Sequence, residues 1–359
     1  MKKSTLALLL VGGLLTLEVG AQTISPTSEK ALQESINKHS ALLSSSPLAD
    51  FKAKNVGPTN MSGRIIDIEV ASNPNTFYVA AASGGVWKTT DNGQSFTPIF
   101  DHQAALGIGA MALSKSNNDI LWVGTGENNS SRSTYAGAGL YKSVDGGKSW
   151  QMMGLLHSQH TGQIQIHPTN PDIVWVGSMG SLYSKNKERG LYKTIDGGKT
   201  WKKVLYIDDN TGIIDIKLHP TNPNILLAAS WERFRQAHDF IGNGKGSTIW
   251  RSEDGGDTWK KSVTGFPQDE FVGRIGFDFS LSSPEVVYAL LDNQAKSDKP
   301  APAPRQRPGA QPEENPIKLE DFATMTLDQA LALEDKKLES FIRRNQFASK
   351  YTPAELKRQ

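Results

Sequence analysis

Thr89-Thr-Asp91-Asn-Gly93-Gln-Ser95-Phe96 is the stretch that decides the fold, because it returns three times. It recurs as Ser143-Val-Asp145-Gly-Gly147-Lys-Ser149-Trp150, as Thr194-Ile-Asp196-Gly-Gly198-Lys-Thr200-Trp201 and as Ser252-Glu-Asp254-Gly-Gly256-Asp-Thr258-Trp259. The aspartates lie 54, 51 and 58 residues apart. A motif repeating at that period marks an array of similar units.

Before each copy stands an aliphatic–aromatic–basic triplet: Val86-Trp87-Lys88, Leu140-Tyr141-Lys142, Leu191-Tyr192-Lys193 and Ile249-Trp250-Arg251. Branched and aromatic residues favour strands, so the triplet reads as a strand end. The Asp carboxylate accepts backbone N–H groups to close a turn, and the Gly two places on takes a positive φ. The closing Trp or Phe opens the return strand. Trp150, Trp201 and Trp259 are expected to be largely buried. The basic residue of each triplet reads as a solvated flank.

Superposing the copies extends the unit. Gly63, Gly107, Gly162, Gly212 and Gly273 each open one, followed by a short β-branched run such as Ile213-Ile214-Asp215-Ile216. A turn follows, spelled Asn73-Pro74-Asn75, Asn117-Asn118-Asp119, Asn170-Pro171-Asp172, Asn222-Pro223-Asn224 and Ser283-Pro284-Glu285, and then a second strand. With the motif hairpin this makes four strands per unit, and four-stranded units repeated radially form a β-propeller. The fold class is therefore all-β: a propeller of four-stranded blades at about 63–101, 107–153, 162–206 and 212–264, incomplete in this chain, with a C-terminal helical insertion.

The pattern resembles the Asp-box (BNR) repeat of sialidases, xyloglucanases, sortilin-type receptors and many secreted bacterial proteins. It looks most like large bacterial proteins with a sortilin-type propeller, often labelled glycosyl hydrolase-like. Asn55-Val-Gly-Pro58, Ser83-Gly-Gly-Val-Trp-Lys-Thr89, Gly124-Thr-Gly-Glu127 and Ile166-His-Pro-Thr-Asn-Pro171 carry the likeness, which spans about residues 51 to 295. It speaks to fold more than to activity, since one fold hosts many functions.

Residues 1–21 read as a signal peptide: Lys2 and Lys3, an apolar run from Leu6 to Leu17, then Val19-Gly20-Ala21. The run is shorter than the ~18 apolar residues of a membrane span, so export to the periplasm or beyond is expected, without stable membrane insertion. Residues 22–50 form a polar leader with one amphipathic stretch. The chain has no cysteine, which excludes disulfides, thiol catalysis and a lipid-modified cleavage site. A net charge of +2 gives no nucleic-acid signature. No metal site or cofactor is called for, and His157-Ser-Gln-His160 lacks metal-ligand spacing.

The propeller region, 51–295, holds four complete units and half of a fifth. The fifth reaches its second strand at Val286-Val287-Tyr288 and then gives way, in 296–359, to a Pro-rich linker and helical signals. Thr326-Leu-Asp-Gln329 has the form of a capping box ahead of a helical apolar pattern reaching Ile342, and Thr352-Pro353 opens another helix. This points to an incomplete copy of a longer protein, with an exposed strand edge in unit five.

Asp91, Asp145, Asp196 and Asp254 are read as structural. Repeated at equivalent turns, they lie too far apart to form the carboxylate pair of a glycosidase, about 5–9.5 Å across. Insertions gather instead between strands two and three, at Asn128–Ala138, Gly180–Gly190 and Glu232–Ser247, which decorates the opposite face. The ligand-binding candidates near the axis there are Arg64, Glu127, His160, Arg189, Glu232 and Arg274, with Arg132 in a long loop. A ring of Arg and Glu suits an anionic or sugar ligand.

No catalytic residue can be named. The sialidase signature is absent, because Met61-Ser-Gly-Arg64-Ile65-Ile66 has no Pro and no preceding aromatic. The xyloglucanase acid is absent too, with Ala82 at the matching position. The favoured reading is an exported binding protein for a peptide, protein or glycan. The alternative is a glycoside hydrolase or lyase whose acidic pair is completed by further sequence.

Overall fold

The computed structural model describes residues 27–51, 63–130, 134–296, 316–345, 347 and 351–358. The expected signal peptide, Asn55–Pro58, Arg132 and most of the Pro-rich linker lie outside them. Contacts divide the chain into a unit ending at Ala295 and a unit from Lys296 onward.

The first unit is an Asp-box β-propeller. Blade one is the antiparallel sheet β1 (Ile65–Val70), β2 (Phe77–Ala81), β3 (Gly85–Thr89) and β4 (Thr97–Pro98). Blade two follows with β5 (Ile108–Leu113), β6 (Leu121–Thr125), β7 (Leu140–Ser143) and β8 (Gln151–Met152). Blade three has β9 (Thr161–Ile166), β10 (Val174–Ser178), β11 (Gly190–Thr194) and β12 (Lys202–Leu205). In blade four, β13 (Thr211–Leu218) and β14 (Leu226–Glu232) are separated from β17 (Thr248–Ser252) and β18 (Lys260–Ser262) by a small hairpin, β15 (Phe234–Arg235) and β16 (Phe240–Ile241). The fifth sheet holds β19 (Val272–Phe279) and β20 (Val287–Asn293). First strands of successive sheets lie side by side, β1 by β5, β5 by β9, β9 by β13 and β13 by β19.

All four Asp boxes join strands three and four. In the second, Ser143 Oγ donates to Asp145 Oδ1 at 2.7 Å and accepts the Gly147 N–H at 2.8 Å. Asp145 also accepts Ser149 N at 2.9 Å and Ser149 Oγ at 2.5 Å. The other three boxes repeat this network. These donors favour the ionised form, so all four carboxyls sit below the usual range, the hydroxyl of the residue four places on contributing most; Asp91 falls to about 2. Gly146 and Gly147 have φ of 68° and 86°, and in blade one Asn92 takes the first of these positions at 59°. Asparagine tolerates that region better than other side-chain-bearing residues.

The hydrophobic cores lie between blades. Tyr78, Ala80 and Val86 of blade one pack with Met111, Leu121 and Val123 of blade two, and the next three junctions repeat the arrangement. Polar stitches cross three of them. Lys88 Nζ donates to Gly146 O of the next box at 2.9 Å, Lys142 Nζ to Gly197 O at 3.2 Å, and Lys193 Nζ to Asp257 Oδ1 at 2.9 Å. Each ammonium also sits over an aromatic ring, Tyr78, Trp122 or Trp175. The strand-three lysines are thus junction residues, which corrects the solvated-flank reading. Their long stems reach past their own sheet, a range that local sequence does not express.

The box tryptophans are half-buried, short of the burial expected. Trp150 Nε1 donates to Ile99 O and Trp201 Nε1 to Met153 O, each at 2.7 Å and each in the preceding blade. Trp259 bonds within its own turn, to Gly256 O at 3.0 Å. The box glycines must be small here. A Cβ on Gly198 would lie 2.4 Å from the Trp122 ring, and one on Gly256 would lie 2.5 Å from that of Trp175.

In the leader, α1 (Glu29–Ser45) is capped by Ser28, whose Oγ accepts Ala31 N at 3.2 Å. The second unit contains α2 (Leu319–Thr324), α3 (Leu327–Leu331), α4 (Asp335–Arg344) and α5 (Pro353–Arg358). The Thr326–Gln329 capping box forms, but the helix it opens stops at Leu331, and α4 starts afresh at Asp335. Thr352 caps α5 through Glu355 N. Among the described residues no helix is long and apolar enough to cross a membrane.

Trp201→Ala is expected to lower the unfolding free energy by about 2–4 kcal/mol, at the low end for a large aromatic. Trp201→Phe keeps the ring and is expected to cost about 1 kcal/mol for the lost hydrogen bond. Urea denaturation measures both, and an unchanged midpoint for the alanine variant would deny the ring a role in the junction.

Candidate functional site

Because strands alternate in direction, the Asp boxes and the loops between strands two and three lie at opposite ends of each blade. The long loops 126–139, 179–189 and 233–247 therefore share the face away from the boxes. Three of the candidates, Arg64, His160 and Arg274, converge on the short segment that begins with a fourth, Glu127-Asn128-Asn129-Ser130, where β6 runs out.

Arg64 and Arg274 occupy equivalent places, each preceding an isoleucine at the same register of its blade's ladder, Ile65 paired with Ala81 and Ile275 with Leu291. Arg64 Nη2 forms an ion pair with Glu127 Oε1, and Glu127 is buried. Arg274 Nη1 donates to Asn129 Oδ1 at 2.5 Å. His160, also buried, bonds through Nδ1 to Glu127 O at 2.9 Å. A carbonyl can only accept, so this nitrogen carries the proton and Nε2 does not. Burial, with the nearby Arg233 and Arg189 charges, pulls the imidazole down to about 3 and keeps it neutral. The corner before it is strained, since Leu155 and Gln159 have φ of 52° and 50°. Such conformations cost a non-glycine residue about 1–3 kcal/mol.

Sequence reading missed Arg233, which is completely buried and central to this face. Its Nη1 donates to Asn128 O at 2.8 Å and to Ser130 Oγ at 3.3 Å. Its Nε and Nη2 have no hydrogen-bond partner among the described residues. Those two N–H groups form the side of the guanidinium that grips an oxyanion with two parallel bonds. Burial, then the charges of Arg189 and Arg274, pull Arg233 down to about 9, still cationic at neutral pH. The cue in the sequence was the run Trp231-Glu232-Arg233, which closes β14 and runs one residue past it: Trp231 carries Arg233 and Arg274 against its ring, at 5.2 and 5.7 Å.

Arg189 is buried as well and donates to Asn210 O at 2.6 Å and to Ser181 O, leaving Nε without a partner among the described residues. Burial lowers it to about 10, while Asp208, Asp209 and Glu232 favour its charge. Glu232 does a different job. Its Oε2 accepts Gly246 N at 3.0 Å, closing the base of its own loop.

Beneath Asn128 lies an axial cavity of about 170 Å³. Asp67, Gly109, Gly162, Asp215 and Arg274 bring one lining residue from each of the five first strands. Asn128 Nδ2 spans blades two and three, donating to Gly109 O at 2.7 Å and to Gly162 O at 3.0 Å. Asp67 accepts Met111 N at 3.2 Å and Asp215 accepts Phe277 N at 3.4 Å, so each carboxylate braces the following blade. Burial raises both, Asp215 to about 6, and raises nearby Glu69 to about 7 with help from the Asp67 charge. Ala82, at the position matching the xyloglucanase acid, is buried and donates its N–H to Arg64 O at 2.8 Å.

Comparison with known proteins agrees with this architecture. Residues 138–302 match the Sortilin-Vps10 family, described as sortilin, neurotensin receptor 3. The chain is an Asp-box-type β-propeller resembling glycosyl hydrolases. Xyloglucanase Xgh74A of Acetivibrio thermocellus is 24% identical over 215 residues, covering 53% of this chain and 24% of the relative. A probable oligoxyloglucan-reducing end-specific xyloglucanase of Neosartorya fischeri is 30% identical over 141 residues, covering 36% and 15%. The crystal structure of an ancestral GH74 enzyme aligns with a TM-score of 0.46 and 19% identity, over 62% of this chain and 28% of that one. The chain thus spans about a quarter or less of the length of these curated relatives.

The axial carboxyls set a pH dependence. Glu69 is raised in the folded state, so its contribution to stability is complete below the ordinary value of 4.5 and is lost as pH rises through about 7. Glu69→Gln is therefore expected to raise the melting temperature at pH 8 and leave it unchanged at pH 4. A variant that melts lower than the parent at pH 8 would contradict this.

Proposed function

We propose that this propeller is a binding protein that holds an anionic group of a peptide, protein or glycan on its loop-rich face. The observation that carries the reading is Arg233: a wholly buried cation whose two-point donor edge has no hydrogen-bond partner among the described residues, acted on by two further arginines. Burying an unpaired charge costs several kcal/mol, and an oxyanion seated on that edge would offset it. Arg189 and Arg274 add charge, His160 stays neutral and positions the Glu127 segment, and Arg64 occupies the one carboxylate of that segment. The expected signal peptide would deliver the protein to the periplasm or outside the cell.

The second reading is a glycoside hydrolase or lyase, favoured by the similarity to xyloglucanases. Against it, Asp67 and Asp215 are engaged with backbone N–H groups of adjoining blades, and Ala82 replaces the expected acid.

Arrays of acidic peptides and uronic-acid oligosaccharides, probed beside xyloglucan oligosaccharides, separate the two readings. Acidic probes are expected to bind, with at least tenfold weaker binding in Arg274→Ala and Arg233→Met and no change in Lys148→Ala on the box face. Release of new reducing ends from xyloglucan would establish the hydrolase instead. Binding that survives both arginine changes and fails in Lys148→Ala would place the site on the wrong face.

A further inference from the structure

The chain stays extended from the end of β14 into β15, and its alternate residues share one side. Arg233 lies over the Trp231 ring at 5.2 Å and Arg235 over the Phe240 ring at 4.6 Å. Phe240 is the cross-strand partner of Arg235, and its ring meets that of Trp231 edge-on with centroids 6.4 Å apart. Trp231, Arg233, Arg235 and Phe240 therefore form one stack, in which each guanidinium has its own aromatic support. The backbone beneath is tied down at two points: Arg233 N donates to Asn210 O at 3.2 Å and Arg235 N to Leu182 O at 2.9 Å.

The two arginines differ in depth. Arg233 is wholly buried, and its Nε and Nη2 have no hydrogen-bond partner among the described residues. Arg235 is half-buried, and its Nε likewise has none. It stands in the wall of a cavity of about 820 Å³, lined also by Tyr183, Gln236, His238, Asp239 and Phe240. Tyr183 is 53% exposed and close enough to act on the Arg233 charge, so it joins the cavity to the buried arginine. Asp239, the acidic member of the lining, is engaged in its own hairpin, where it accepts Phe240 N at 2.7 Å. The cavity lies between the loops of blades three and four, both of which have all four strands.

We propose, building on the anion-binding reading above, that this pair takes an extended acidic peptide segment with carboxylates at alternate positions, one on the Arg233 edge and the next on Arg235. Arginines two places apart on an extended strand keep its two-residue rise, roughly 6.4–6.8 Å. The rings that support them are 6.4 Å apart, the same offset. Acidic side chains at alternate positions of an extended peptide have this rise too, and they share one side. Adjacent acidic residues point to opposite sides, so they offer the pair one carboxylate at a time. Charge-assisted bonds to both arginines act together only for the alternate pattern.

Fluorescence-polarisation titration of the full chain tests this. The probes are three labelled serine-based peptides of equal length, carrying Glu-Ser-Glu, Glu-Glu-Ser or a single Glu, beside a labelled uronic-acid oligosaccharide. The Glu-Ser-Glu peptide is expected to bind at least tenfold tighter than the Glu-Glu-Ser peptide of the same charge. Arg235→Met keeps a stem against Phe240 and is expected, with the parent's circular dichroism, to erase that difference while the single-Glu peptide binds as before. Arg235→Lys keeps the charge and is expected to preserve the preference. Equal affinity of the parent for the two doubly charged peptides would overturn the spacing and leave the anion-binding reading standing, as would a preference that survives Arg235→Met. Tighter binding of the oligosaccharide than of any peptide would overturn the choice of a peptide. A chain that binds none of the probes would overturn the anion-binding reading, and this assignment with it.

Discussion

The structure depends on a carboxylate held at a surface turn. In each Asp box one aspartate accepts two hydroxyls and a backbone N–H, and the first hydroxyl passes its own acceptor capacity to a glycine amide. This network fixes the hairpin without help from a core, which a sheet whose hydrophobic side chains face its neighbours cannot supply internally. The fixed turn then becomes a docking point: its glycine carbonyl receives a lysine or indole N–H from the blade before. Local turn chemistry is thereby converted into long-range order, one junction at a time.

The same constraint determines where function can reside. The box ends of the blades are committed to structure, and their aspartates are ionised, saturated with donors and separated from one another. The opposite ends are free to vary in length. There the segment Glu127–Ser130 crosses the axis and gathers Arg64, His160, Arg233 and Arg274 from blades on either side. Side chains that are distant in sequence become neighbours because five first strands converge on one axial cavity.

The fold was legible because its determinants are local and repeated. An Asp, a Gly and an aromatic at fixed offsets specify a turn, and four copies of the turn specify the array. The site was legible only in outline. Arg64 and Arg274 stood out because blade register makes them equivalent, and the structure brings both to the same loop. Arg233 was hidden because its importance comes from complete burial under a loop of another blade, over 100 residues away in sequence. Glu232 looked equally suitable as a strand-end acid, yet it closes its own loop. The strand-three lysines were misjudged for a related reason. A basic residue at a strand end reads as solvated until the next blade is placed beside it.

Native-state hydrogen exchange at the box amides tests the central claim most directly. Ser149 is solvent-exposed, and its N–H leans on Asp145, while that of Gly147 leans on Ser143. If these turns are the fixed points of the fold, both amides should exchange slowly, with protection approaching that of the β6 and β7 ladder, that of Ser149 despite its place at the surface. Exchange as fast as in an unstructured peptide would mean that the boxes merely decorate sheets held by other forces.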